Sequence, residues 1–113
     1  RWSGCCCTKA SVAVIMAGGS DRTVAIREVV SYSATLKSLG RPVTLLVEPG
    51  GGHSPVDPIP REAYLFAMET MLQRHLGGPA PEVPGQRLRA YLRENLRLVG
   101  PEFKEFSSRT RPQ

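Results

Sequence analysis

The pattern of hydrophobic and polar positions predicts two short buried strands with an amphipathic helix between them. Residues 11–16 and 43–47 are apolar runs rich in Val, Ile and Leu without alternation, which is typical of strands buried on both faces. Apolar side chains recur at helical spacing over residues 26–39, and Gly40 suits a left-handed C-terminal cap. This order predicts a parallel pair of strands joined by a right-handed crossover.

Two more amphipathic helices are predicted after the second strand. The first begins at residues 60–61, because proline is well tolerated at the first helical position, and ends at residues 77–78. Its apolar stripe consists of Leu65, Met68, Met71, Leu72 and Leu76, with Phe66 beside it. The other helix is predicted over residues 86–99, and its apolar face consists of Leu88, Tyr91, Leu92, Leu96 and Val99.

This pattern divides the chain into four parts. Residues 1–10 are an irregular lead-in, residues 11–78 an α/β unit, residues 79–85 a proline-rich linker, and residues 86–113 a helical extension with a polar tail. Both strands have the composition of central strands, and a parallel sheet needs several strands and two covered faces. We therefore expect the α/β unit to be the C-terminal portion of a larger domain. The absence of an initiator Met agrees with this expectation.

Composition and charge exclude several functional classes. The 113 residues are 41% hydrophobic, which is typical of a globular chain. No apolar run approaches the roughly 20 residues that span a bilayer, so no membrane segment is predicted. The net charge is +5, and residues 87–111 contain seven Lys and Arg against three Glu. Without a nucleic-acid motif and with few aromatic residues, this excess favours a solvated basic face over nucleic-acid binding.

The three cysteines, Cys5, Cys6 and Cys7, are consecutive. Neighbouring cysteines rarely pair with each other, and zinc ligands come as separated pairs, so we interpret them as free thiols. Free thiols favour a reducing, cytoplasmic compartment, although an exported parent protein stays open. No metal site and no cofactor is predicted.

A carboxylate and an imidazole follow the two predicted strands. Asp21 comes after the first strand in a Gly-Gly-Ser-Asp turn, and His53 comes after the second strand and three glycines. Parallel strands carry both loops to one edge of the sheet, where open α/β sheets place their chemistry. We therefore expect Asp21 and His53 to lie side by side. Taken singly, Asp21 is an ordinary turn residue and His53 an ordinary loop residue.

The other candidate residues have simpler interpretations. His75 lies in a last helical turn, where a cation interacts well with the helix dipole, so its predicted role is structural. Glu48 and Asp57 flank the His53 loop, where either they orient the loop or they are solvated charges. Ser54 is not a credible nucleophile. The glycines at residues 50–52 lack the Lys and Ser or Thr of a phosphate-binding P-loop.

The segment from Asp21 to His53 resembles the C-terminal catalytic segment of the prolyl oligopeptidase family of serine peptidases. That family has His-Gly-x-x-Asp-x-x-Val-Pro after a strand, then a helix ending in Ala-Leu-x-x-x-Gly, then a strand and Pro-x-x-x-His. Here residues 18–24 read Gly-Gly-Ser-Asp-Arg-Thr-Val, residues 36–40 read Leu-Lys-Ser-Leu-Gly, and Pro49 precedes His53 by four positions. Ala17 and Ala25 stand where the family often has His and Pro.

The resemblance implies an α/β-hydrolase fold in which Asp21 is the triad acid and His53 the triad base. The family's nucleophile lies upstream in a Gly-x-Ser-x-Gly elbow, and this motif does not occur in the 113 residues. The chain alone is therefore expected to be inactive. The implied activity of a longer parent is cleavage of short peptides through an acyl-enzyme.

Two alternatives stay open at this point. One is a carboxylesterase or acyl hydrolase on the same fold, acting on a small ester, since fold does not determine substrate. The other is a non-catalytic interaction module. Nor does the sequence decide whether the helix at residues 86–99 packs on the body of the protein or mediates self-association.

Overall fold

The computed structural model describes residues 12–107, which form an α/β fold, as predicted. The elements in chain order are β1 (Ala13–Gly18), α1 (Ile26–Ser38), β2 (Val43–Glu48), α2 (Pro58–Leu76), α3 (Gln86–Asn95), β3 (Leu96–Leu98) and a 3₁₀ segment (Pro101–Phe106). The predicted lead-in with Cys5, Cys6 and Cys7 lies outside the described residues, as does the end of the predicted tail.

The described strands form one mixed sheet in the order β1-β2-β3. β1 and β2 are parallel, with Ala13 opposite Val43 and Gly18 opposite Glu48, and α1 connects them as predicted. Gly40, just after α1, has φ of 81°, which confirms the predicted left-handed cap. β2 is buried along its whole length because it has a neighbour on both sides. β1 lies at the edge of this sheet and is only half-buried, whereas the sequence predicted a central strand.

The third strand corrects the predicted helix over residues 86–99. α3 ends at Asn95, and the chain continues as β3, antiparallel to β2, with Leu98 opposite Leu45 and Leu96 opposite Leu46. The apolar spacing in this segment suits a helix, but buried backbone N–H and C=O groups of β2 require partners. Pairing with β2 therefore outweighs the local helical preference.

The core contains side chains from both sides of the proline-rich linker. Its buried members are Leu46, Ala63, Ala67, Leu88, Leu92, Phe103 and Phe106. Leu92 is 0% exposed, so α3 packs on the body of the chain, and its apolar face is occupied within the molecule. The packing that the sequence left open as one of two alternatives is therefore present in the structure.

The predicted polar tail begins with buried aromatic residues. Phe103 and Phe106 are each 1% exposed, and the ring of Phe106 meets that of Phe66 edge to face at 5.7 Å between centroids. The guanidinium of Arg89 lies 5.5 Å from the centroid of Phe106. The expectation of a solvated tail was wrong for residues 102–106, because two phenylalanines give this short segment enough apolar surface to dock.

Helix α2 buries only part of the predicted apolar stripe: Met71, with Phe66 beside it, packs against the core. Ala63, Ala67 and Thr70 face the core, while the larger side chains Leu65, Met68, Leu72 and Leu76 are 46–79% exposed. Small residues let a helix approach its neighbours closely, which explains why this face is inside. Among residues 12–107, no helix has both the length and the hydropathy needed to cross a bilayer.

Candidate active site

Asp21 and His53 lie together at the C-terminal edge of the parallel strands. Nδ1 of His53 is 3.0 Å from Oδ2 of Asp21, although the two residues are 32 positions apart. Asp21 follows β1 and His53 follows β2, and the parallel pairing of these strands carries both loops to the same edge. The expected juxtaposition is therefore present in the structure.

Backbone hydrogen bonds join the two loops below this pair. The carbonyl of Glu48 accepts from the N–H of Gly19 at 2.8 Å and from that of Gly51 at 3.0 Å. The N–H of Ser20 donates to the carbonyl of Gly51 at 2.8 Å. The loops are thus held together by main-chain groups, independently of the Asp21–His53 contact.

Asp21 is fixed by both of its carboxylate oxygens. Oδ1 accepts from the backbone N–H of Thr23 at 2.7 Å and of Val24 at 3.1 Å, which leaves Oδ2 for His53. The hydrogen bond from His53 lowers the pKa of Asp21 most, and the two backbone donors lower it further, while burial opposes them. Asp21 is therefore both the turn residue that its local sequence predicts and the partner of His53.

The contact with Asp21 determines the tautomer of His53. An ionised carboxylate only accepts hydrogen bonds, so Nδ1 carries the proton, and Nε2 of the neutral ring has its lone pair free to accept. The His53 side chain is 65% exposed, while that of Asp21 is 6% exposed. Ser54, the next residue in the chain, is exposed. The pair has the geometry of a general base with an orienting carboxylate, and its base nitrogen is accessible.

Glu48, the last residue of β2, is buried, which corrects its interpretation as a solvated loop charge. It is 8% exposed, and its Oε1 is buried without a hydrogen-bond partner. Burial, followed by the charge of Asp57, raises the pKa of its carboxyl group. Asp57 itself is exposed, as expected for a solvated charge. Extending the predicted buried strand by one residue, from residue 47 to Glu48, would have indicated this burial from the sequence.

Two tyrosines, Tyr64 of α2 and Tyr91 of α3, are coupled electrostatically to the Glu48 carboxyl group. The hydroxyl of Tyr91 is buried and has no hydrogen-bond partner. Burial and then the charge of Glu48 raise the pKa of Tyr91 to about 12. The same two causes, with Asp21 third, raise the pKa of Tyr64. Glu48, Tyr64 and Tyr91 are thus coupled electrostatically, and sequence reasoning did not find this coupling.

The second histidine forms a separate pair with a carboxylate. Nε2 of His75, in the last turn of α2, is 2.6 Å from Oε2 of Glu102 in the 3₁₀ segment. Glu102 is 6% exposed at its side chain, and His75 is 40% exposed. This pair fastens the 3₁₀ segment to α2, so His75 has a structural contact, but its partner Glu102 was not predicted.

Comparison of the chain with known protein families, curated proteins and solved structures found no match in any of the three. The functional argument therefore depends on the geometry of the site and on the sequence motifs around Asp21 and His53.

Proposed function

We propose that Asp21 and His53 are the acid and base of the catalytic triad of a serine hydrolase, most specifically a peptidase that cleaves short peptides. The observation that carries the proposal is the 3.0 Å contact between Nδ1 of His53 and Oδ2 of Asp21 at the C-terminal edge of parallel strands. In this proposal the fold is the C-terminal portion of an α/β-hydrolase domain. The nucleophile belongs to a Gly-x-Ser-x-Gly segment outside residues 1–113.

The chemistry assigns one task to each residue. Nε2 of His53 takes the proton from the serine hydroxyl while the serine oxygen attacks the scissile carbonyl carbon. The resulting imidazolium gives that proton to the leaving amine when the C–N bond breaks, which leaves an acyl-enzyme. Water then repeats the sequence and releases the acid. Asp21 keeps the proton on Nδ1 and stabilises the imidazolium in both steps.

Exposure of the two side chains supports these separate tasks. Asp21 is buried and held by backbone donors, which suits a group that stays ionised and does not move. His53 is exposed on the side away from Asp21, which leaves Nε2 available to a nucleophile from another segment. No cofactor takes part in this chemistry.

The experiment is covalent labelling by a fluorophosphonate of the polypeptide encoded by the whole reading frame. Labelling should occur on a serine of a Gly-x-Ser-x-Gly elbow, and His53→Ala or Asp21→Asn should slow it roughly 10³- to 10⁴-fold. His75→Gln is the matched control, since it changes the other histidine–carboxylate pair and should label normally. A folded, unlabelled protein would contradict the proposal and favour the non-catalytic interaction module.

Substrate class is tested separately, because an esterase on the same fold would also react with the fluorophosphonate. Turnover of peptidyl amides with kcat/KM comparable to that of matched acyl esters supports the peptidase. Turnover of esters alone supports a carboxylesterase or acyl hydrolase. The residues 1–113 by themselves should turn over neither substrate.

A further inference from the structure

Glu48 is connected to the His53 loop through both its backbone and its side chain. Its carbonyl accepts from Gly19 and Gly51, so it bridges the loops that follow β1 and β2. Its side chain is packed directly under Gly51, where an added Cβ would lie 2.5 Å from both Cδ and Oε1 of Glu48. The position of the turn that carries His53 therefore depends on what occupies the Glu48 site.

Among residues 12–107, burial and the negative charge of Asp57 raise the pKa of Glu48, and no cation contributes to the shift. Glu48 in turn raises the pKa of Tyr64 in α2 and of Tyr91 in α3, and Asp21 also raises the pKa of Tyr64. Neither Oε1 of Glu48 nor the hydroxyl of Tyr91 has a hydrogen-bond partner. A carboxylate in this position would be a buried charge without compensation, which is costly, whereas a neutral carboxylic acid is tolerated far better.

We propose that Glu48 is a positioning residue for His53, and that its side chain, packed under Gly51, holds the 50–53 turn where Nδ1 of His53 meets Asp21 as long as the carboxyl group is protonated. This inference rests on the proposed role of His53 as the triad base. Glu48 touches no reacting atom in it. When Glu48 ionises, the buried charge draws water or moves toward solvent, the support under Gly51 is lost, and the contact between His53 and Asp21 weakens.

The predicted consequence is that the support of the His53 loop depends on pH through Glu48. Burial stabilises the neutral acid of Glu48, so the native loop is supported at low pH and loses support as pH rises through the raised pKa of Glu48. Glu48→Gln keeps the shape of the side chain and cannot ionise. The variant should therefore keep the loop in place over the whole range.

The proposal is tested by two measurements. Long-range ¹H–¹⁵N correlation NMR gives the tautomer of His53 in the 113-residue chain. The rate of fluorophosphonate labelling is measured in the longer polypeptide. Gly51→Ala should reduce the Nδ1–H form and slow labelling about 10- to 100-fold, because a 1 Å misplacement of a catalytic group is costly. In the Glu48→Ala background Gly51→Ala should have little effect, since the Glu48 side-chain atoms that the new Cβ would contact are absent. Glu48→Gln should have the Nδ1–H tautomer of His53, as in the wild type, and should keep it at the higher pH at which the wild type loses it.

Two results would overturn the proposal. One is an effect of Gly51→Ala that is unchanged in the Glu48→Ala background; the other is identical pH dependence of the His53 tautomer in wild type and Glu48→Gln. The comparison of wild type with Glu48→Gln tests the proposal even if Glu48→Ala does not fold. NMR could show that Glu48 controls the His53 tautomer while the longer polypeptide is never labelled by the fluorophosphonate. That result would contradict the serine hydrolase and support the positioning role of Glu48. Failure of the proposed function is therefore distinguishable from failure of the positioning role.

Discussion

Gly18 and Gly52 come so close that a Cβ at Gly18 would lie 2.1 Å from the carbonyl oxygen of Gly52. The contact joins the end of β1 to the turn that carries His53, and it lies between backbone groups that cannot rotate away. Glycine at residue 18 is therefore required for the two loops to meet. The contact between the loops in turn brings the carboxylate of Asp21 to the imidazole of His53.

Gly18→Ala should separate the loops. Overpacking against a fixed backbone costs about 1–3 kcal/mol, so the free energy of unfolding should fall by that amount and the Nδ1–H form of His53 should decrease. Urea denaturation and NMR measure the two effects. Gly52→Ala is the matched control, because a Cβ there meets no atom within 4 Å and the φ angle of Gly52 is not in the left-handed region. Equal losses in the two variants would contradict this explanation.

The two histidines should adopt opposite tautomers in their neutral forms. Nδ1 of His53 donates to Asp21, whereas Nε2 of His75 donates to the Glu102 carboxylate. Long-range ¹H–¹⁵N correlation spectra distinguish the protonated from the unprotonated ring nitrogen in each residue. Asp21→Asn should change the spectrum of His53 and leave that of His75 unchanged. If both rings carry the proton on Nε2, the dyad geometry is wrong.

Stability should depend on pH with opposite signs at Asp21 and Glu48. The pKa of Asp21 is lowered in the folded protein, so its stabilising contribution is present above its unfolded pKa and is lost as pH falls through the native value. The pKa of Glu48 is raised, so its contribution is complete below the unfolded pKa and is lost as pH rises through the native value.

Two variants separate these contributions. Asp21→Asn should flatten the acid side of the curve of unfolding free energy against pH, and Glu48→Gln should flatten the decline above the ordinary pKa of a glutamate. Glu69→Gln, at an exposed position of α2, is the control and should leave the curve unchanged. A Glu48→Gln curve with the wild-type slope would show that Glu48 ionises as freely in the folded as in the unfolded chain.

The 3₁₀ segment should be essential for stability. Phe103 is 1% exposed, and removing a buried phenylalanine ring costs about 3–5 kcal/mol. That loss is a large part of the roughly 5–15 kcal/mol that stabilises a small domain, so Phe103→Ala should unfold at a much lower urea concentration than the wild type. Leu76→Ala, at a side chain that is 79% exposed, should change the free energy of unfolding by less than about 0.5 kcal/mol. Circular dichroism during urea denaturation measures both, and similar midpoints would mean that the segment is not docked.

Local patterns in the sequence were sufficient for the β1-α1-β2 unit and for the placement of Asp21 and His53. Unbroken apolar runs predict buried strands, helical spacing predicts the crossover, and parallel pairing then brings both loops to one edge. These inferences depend on neighbours in sequence or on a topological rule with few exceptions. For this reason two residues 32 positions apart were correctly expected to lie together.

Only the tertiary structure decided which surfaces are inside. Ala63 and Ala67 of α2 face the core instead of Leu65 and Leu72, because close approach to neighbouring elements favours small residues. Leu96 joins a strand because the free side of β2 offers backbone partners that no local pattern reveals. Glu48 is buried at the end of β2, where its side chain packs under Gly51 of the following loop. The first two of these outcomes depend on contacts between segments distant in sequence, and hydrophobic periodicity contains no information about such contacts.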